Sequence, residues 1–179
     1  MKKLFYLLLL IPFLNSCITA EIGSLKRDYS KNVRSYQSDL PFEKVWSKAI
    51  DFFSERGIAI QTVDKSSGLI VSGNYSFTNS ITIESSDGGF FDNEKWIVCA
   101  CPFLPDGTVV APNVANGDFN LRIKEEDGKT IINVNLLPRE FYQSANTSFG
   151  PVKVDRQAFS TGVFEKKIAE FIDPNIKKL

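Results

Sequence analysis

The sequence predicts a two-layer α+β domain: an antiparallel sheet of about five to six strands with two helices packed on one face. Three observations predict it. An apolar stripe of helical period runs through residues 42–53, a second lies near 164–172, and the stretch between them alternates with a period of two. That order, helix then strands then helix, favours an antiparallel sheet covered on one side over a parallel sheet covered on both.

Before the domain comes a segment of different character. Lys2-Lys3 is followed by Leu4–Leu14, apolar apart from the Tyr6 hydroxyl and the breaker Pro12. The stretch is too short for a bilayer span, which takes about 20 residues, and has the length of a signal-peptide core. It ends in Leu14-Asn15-Ser16-Cys17. This resembles the lipobox of bacterial lipoproteins, with Leu at −3, a small residue at −1 and Cys at +1. The resemblance implies cleavage between Ser16 and Cys17, a diacylglycerol thioether on Cys17 and acylation (palmitate-type) of the new amino terminus. The product is then held in the membrane of the cell envelope by its acyl chains. Ile18-Thr19-Ala20 carries no acidic cluster, which favours an outer-membrane protein facing the periplasm. The alternative is an ordinary secretory signal with a chance cysteine.

The boundaries that follow are a signal peptide over 1–16, a lipidated terminus and tether over 17–38, and a single domain over 39–179. Residues 18–38 are polar, with scattered charges and no sustained period. Val33 and Tyr36 alternatively begin an edge strand. In the domain, Phe42, Val45, Trp46, Ala49, Ile50 and Phe53 form one helical face, so a helix is expected over 40–56. Asp39 is placed to cap it, Pro41 fits its first turn, and Gly57 supplies the C-terminal cap. Ile58–Val63 and Leu69–Phe77 then alternate around the turn Asp64–Gly68 and read as a hairpin. Ile81 and Ile83 suggest a third short strand, Lys95–Cys101 a buried one, and Pro102–Gly117 a long loop. Asp127-Gly128 between the alternating runs Phe119–Ile123 and Thr130–Leu137 is a second hairpin signal. Polar Arg139–Pro151 is the stretch for an excursion or an extra strand pair. A closing helix is expected near Arg156–Ile172, stopped by Pro174.

The run LPFEKVWSKAIDFFSERGIAIQTVDKSSGLIVSG, together with FSTGVFEKKIAEFI, resembles uncharacterised Bacteroides-type lipoproteins. More distantly, the first run is similar to the lipoprotein C-subunit domains of the outer-membrane β-barrel assembly machinery. The resemblance covers about a third of the chain and implies a helix-grip-like sheet wrapped on helices with an assembly or binding role. The first group often carries a cysteine just before Ser-Thr-Gly, paired with one in a middle strand. Here that position is Phe159, so the pairing has no counterpart for Cys99 or Cys101.

The precursor carries 21 basic and 21 acidic residues. Losing Lys2 and Lys3 leaves a small acidic excess, so no nucleic-acid partner is expected. Histidine is absent, which excludes Ser-His-Asp and Cys-His catalysis and His-ligated zinc. Cys99 and Cys101 sit at i and i+2 of a predicted strand, with Cα atoms about 6.5–7 Å apart. Buried free thiols and a strained disulfide both fit that spacing. Asp87-Gly88-Gly89 and Asp92-Asn93-Glu94 lack the alternating oxygen pattern of a calcium loop. Ser160-Thr161-Gly162 has no base to activate its serine and reads as a helix cap. Phe90, Phe91, Phe103 and Phe149 fall in predicted loops, where aromatics either plug a core edge or form a binding patch.

The expectation is therefore a lipid-anchored, non-enzymatic binding or envelope-assembly module without metal or cofactor. Its contacts would be the membrane through Cys17 and an envelope protein through the open sheet face or the loops 85–94 and 102–117. The alternative is a small-ligand carrier or enzyme with a cavity between the sheet and the first helix, lined by Tyr75, Trp96 and inward polar groups.

Overall fold

The computed structural model of the chain describes residues 21–22, 25–29, 34–85, 87–99, 102–103, 114–147, 150–155 and 158–179, with 21–22, 102–103, 114 and 139–155 as backbone. The predicted signal segment, Cys17, Cys101 and Phe149 lie outside the described residues.

Helix α1, Phe42–Glu55, buries Val45, Trp46, Ala49, Phe52 and Phe53. Its first turn is closed by the Pro41 carbonyl, which accepts the amides of Lys44 and Val45 at 3.0 and 3.2 Å. Asp39 is not the cap; its carboxylate takes the Lys129 ammonium at 2.7 Å across the sheet edge instead. At the far end the Ile58 amide reaches the Phe53 carbonyl (2.9 Å) and the Gly57 amide that of Ser54 (3.2 Å). This is the paired 6→1 and 5→2 arrangement that a glycine after the last turn permits.

The remaining elements in chain order begin with β1 (Glu21–Ile22) and β2 (Ser35–Ser38), which precede α1. After it come β3 (Ile60–Asp64), β4 (Leu69–Ser72), β5 (Tyr75–Ser76), a 3-10 turn at Thr78–Ser80, β6 (Ile81–Ile83), β7 (Ile97–Cys99) and β8 (Pro102–Phe103). The chain continues through β9 (Val114–Glu126), β10 (Lys129–Thr147), β11 (Gly150–Asp155), β12 (Ala158–Ser160), helix α2 (Val163–Ile172) and β13 (Lys177–Lys178). Among the described residues the main sheet has eight strands, ordered β13-β2-β10-β9-β4-β3, with β5 on the start of β9 and β11 on the far part of β10. The pairings within it are antiparallel.

The fold is thus α+β. Both helices pack on one face of the sheet through a core of Ile70, Phe119, Leu121, Ile123, Ile132, Val134 and Leu136 with Phe52, Phe53, Phe164 and Ile168. Phe119 is its centre, 5.2 Å from the Phe53 ring and 5.0 Å edge-on to Phe164. The β9–β10 hairpin turns at Asp127-Gly128, both with positive φ (50° and 72°), the twist that tight hairpins need. A bulge between Pro138 and Glu140 lets a residue without an amide donor sit inside the long strand. Gly68 is pressed against β9: its carbonyl takes the Ile123 amide at 2.8 Å, and a Cβ there would lie 1.8 Å from the Ile123 carbonyl oxygen.

Three boundaries differ from the expectation. Residues placed in the tether belong to the domain: β2 pairs with Thr130–Asn133 of β10 on one side and with β13 on the other, and Tyr36 is buried. The alternative strand start at Tyr36 is the closer description. The predicted loop over 102–117 gives its last residues to β9, whereas Arg139–Pro151 builds the β10–β11 pair, one of the two outcomes expected for it. The closing helix starts later than expected, because Ala158–Ser160 hydrogen-bonds along β7. With β6 parallel on its other side, β7 forms a separate three-stranded sheet. The count of about five to six strands is low for the same reasons.

Candidate functional site

Cys99 is buried and disulfide-bonded, so it is not a free thiol; its partner lies outside the described residues. Phe90 plugs the edge of the three-stranded sheet, half-buried and stacked 6.1 Å from Tyr29, with the Arg27 guanidinium 5.4 Å from its ring centroid. Phe91 beside it is 70% exposed. Phe103 enters β8, whose backbone pairs with β1. The four loop aromatics therefore do not form one described patch. Ser160-Thr161-Gly162 does close the start of α2: the Ser160 hydroxyl accepts the Gly162 amide at 3.0 Å, and the Thr161 hydroxyl donates to the Lys95 carbonyl at 2.6 Å. Among the described residues no group of three or more His, Cys, Asp or Glu is arranged to hold a metal. Asp64 is a turn residue; hydrogen bonds from the Ser66 and Ser67 side chains hold its carboxyl down at about 2.

The most unusual chemistry is one that sequence reasoning missed. Glu165, in the first turn of α2, is fully buried. Its Oε2 accepts the Ser160 hydroxyl at 2.7 Å, and its Oε1 lies 3.1 Å from Arg34 Nε. That second contact is off the hydrogen-bond axis, so both atoms lack a hydrogen bond and the attraction is Coulombic. Burial pushes the Glu165 carboxyl up, opposed by the Ser160 hydroxyl, the Arg34 charge and the Leu136 amide. Tyr36 lies close enough for that charge to act on it: burial first, then Glu165, raise its hydroxyl to about 12. Above this node is a cleft of about 300 Å³ with Tyr36, Thr161, Val163 and Ile176 in its walls and Lys166, Glu170 and Lys178 at its margin. Lys166 is paired with Glu170 at 3.4 Å. A buried carboxylate 3.1 Å from an arginine, with a buried phenol within reach of both charges, sits at the junction of α2 with the sheet.

The cavity expected between the sheet and the first helix is a hollow of about 70 Å³ between α1 and α2. It is lined by Phe52, Tyr75, Trp96 and Phe164, with Arg56 and Lys167 at its edge. Both cations lie over aromatic rings, Arg56 over Phe52 at 4.4 Å and Lys167 over Trp96 at 6.0 Å. Ligand pockets commonly run about 300–1,000 Å³, so this hollow is too small for one.

On the other side of the sheet, Asn120, Arg122, Asn133 and Asn135 line the face that the helices leave open, in register with one another. Val71 and the 40%-exposed Leu137 lie among them. Asn133 Oδ1 accepts the Ser35 hydroxyl at 2.5 Å, and Asn135 Oδ1 accepts an Arg34 guanidinium N–H at 3.3 Å. A second clasp holds the start of the described chain: Glu84 accepts the amides of Lys26 (2.5 Å) and Arg27 (3.2 Å) and the hydroxyl of Tyr29 (2.9 Å). Burial and the Glu84 carboxylate push the Tyr29 hydroxyl well above its ordinary range.

One of these missed groups had a readable signal. Glu165 shares a helical face with Ile168, Ala169 and Ile172, so a charge interrupts the apolar stripe where a hydrophobe is due. Glu84 follows the alternating Ile81 and Ile83 and carries no such mark. Among the described residues no helix is long and apolar enough to cross a membrane. No protein-family model matches the chain, and comparison with the curated proteins finds no match.

Proposed function

We propose that the chain is an extracytoplasmic lipoprotein, anchored through acyl chains on Cys17, whose α+β domain is a non-enzymatic module that binds another envelope protein. The observation that carries the binding role is the open sheet face. Asn120, Arg122, Asn133 and Asn135 form a polar surface on adjacent strands of the sheet, with Val71 and Leu137 among them. Interfaces combine such a polar surround with a few apolar contacts. The lipobox Leu14–Cys17 carries the anchoring role.

A photo-crosslinking residue at Asn120 or Arg122, compared with one at Lys48 on the exposed side of α1, tests this. One envelope protein crosslinked from both sheet positions, not from Lys48, and lost in an exported Cys17→Ala control is the expected result. No sheet-face product overturns the binding role.

A second reading, a small-ligand carrier, is favoured by the cleft beside Tyr36, whose volume of about 300 Å³ reaches the lower end of ligand pockets. Native mass spectrometry of the purified protein distinguishes it by a retained small molecule.

A further inference from the structure

We infer that the end of the domain formed by Glu84, Phe90 and Phe91 rests on the lipid surface, with the Phe91 ring in the headgroup region of the bilayer. The inference builds on the reading that Cys17 is acylated. Phe91 is the most exposed of the described large hydrophobic side chains, at 70%. Single exposed apolar residues are ordinary, so exposure alone decides nothing; position does. Phe91 is fixed to β6 by its amide, which donates to the Ile83 carbonyl at 3.2 Å, and Phe90 bridges to Glu84. Glu84 in turn grips the Lys26 and Arg27 amides.

Lys26 is nine residues on from Cys17, and a fully extended chain of that length reaches at most about 32 Å. Glu21 is four residues on, within about 14 Å of the anchor, and pairs with Phe103 just beyond β7. β7 is in register with β6 through Cys99 and Ile83. The leash thus leads to this end of the molecule. The opposite end lies far off. β6 follows from the start of β9, where the Phe77 amide meets the Ala115 carbonyl, and β9 then runs to Glu126, about 40 Å away along the strand. Lys26 and Arg27 at the anchored end are offset by Asp28 and Asp87, so the contact relies on the ring and does not need anionic lipid.

The test uses the acylated full chain in phosphatidylcholine vesicles whose acyl chains are brominated. Phe91→Trp and Glu126→Trp are compared, each read as the difference from the wild-type signal of Trp46 and Trp96. Quenching of roughly twofold for Phe91→Trp, with none for Glu126→Trp, is expected of a ring at headgroup depth. Equal quenching of the two variants overturns the inference while leaving the anchor intact. An intact mass showing no acyl chains on Cys17 overturns both.

Discussion

The Tyr29 hydroxyl donates to Glu84 Oε1 at 2.9 Å, joining residues 55 positions apart. Glu84 also takes the Lys26 and Arg27 amides, so one carboxylate makes three hydrogen bonds to residues 26–29. Removing it should free that segment. Glu84→Ala is expected to lose about 1–3 kcal/mol, because the buried Tyr29 hydroxyl loses its partner. Trypsin should then cut after Lys26 and Arg27 well before the domain unfolds, whereas Tyr29→Phe keeps the two amide contacts and resists. Equal cleavage of wild type and Glu84→Ala would mean the clasp restrains nothing.

Glu165 gives a pH signature whose sign is fixed by its raised carboxyl. The folded state holds the proton more tightly than the unfolded state, whose value lies near 4.5. Stability should therefore be highest below that value and fall as pH rises through the raised folded value, since ionisation is disfavoured in the core. Glu165→Gln keeps an acceptor for the Ser160 hydroxyl but cannot ionise, so its stability relative to wild type should rise with pH across that window. Urea titrations from acid to neutral pH check this; parallel curves for the two proteins would contradict it. Glu165→Ala should cost about 3 kcal/mol at acid pH by stranding the Ser160 hydroxyl in a cavity, and less as the pH rises, since alanine escapes the same ionisation penalty.

Gly68→Ala tests the contact between β4's turn and β9. With φ at +71° and a new Cβ 1.8 Å from a backbone oxygen, the turn or the strand must move. A loss of about 3 kcal/mol or more is expected. Substituting Val63, 55% exposed on the neighbouring strand, by Thr should change stability by less than about 0.5 kcal/mol. Thermal melts of the two variants separate a backbone clash from simple edge-strand sensitivity.

Cys99 carries a prediction about its partner. The chain has three cysteines, and a Cys17 sulfur held in a thioether has none left for a disulfide. In the acylated protein the bond must then join Cys99 to Cys101. Tryptic mapping without reductant should recover residues 96–122 as one peptide lighter by two hydrogens, with no alkylatable thiol. A crosslinked peptide containing Cys17 would refute the lipoprotein reading directly.

Much of the fold was legible because it rests on local signals. The stripe from Phe42 to Phe53, the glycine after α1, the Asp127-Gly128 turn and the alternation through Phe119–Ile123 each act within a few residues. What was not legible depends on distant pairing. Nothing local to Ser35–Ser38 says that Thr130–Asn133 lies beside it, and its polar outward residues read as a tether. Ala158–Ser160 looks like the start of a helix until β7 offers an open edge. The Phe residues were read by loop position; Phe90 and Phe91 adjoin in sequence yet face inward and outward. Of the buried polar groups described, Ser160 was marked by its cap motif and Glu165 left a trace as a charge on an apolar stripe.

The sheet order has a consequence for assembly in time. β2 is the first strand of the main sheet along the chain, yet Ser38 finds its partner Thr130 only 92 positions later, and β13 on its other side comes later still. A chain emerging amino end first must therefore hold α1 and the β3–β4 hairpin for a long interval with one sheet border unfilled. Pairings of such wide sequence separation slow the final step of folding. The nascent domain would spend that interval as a sticky intermediate, the state in which a holdase chaperone has most to offer it.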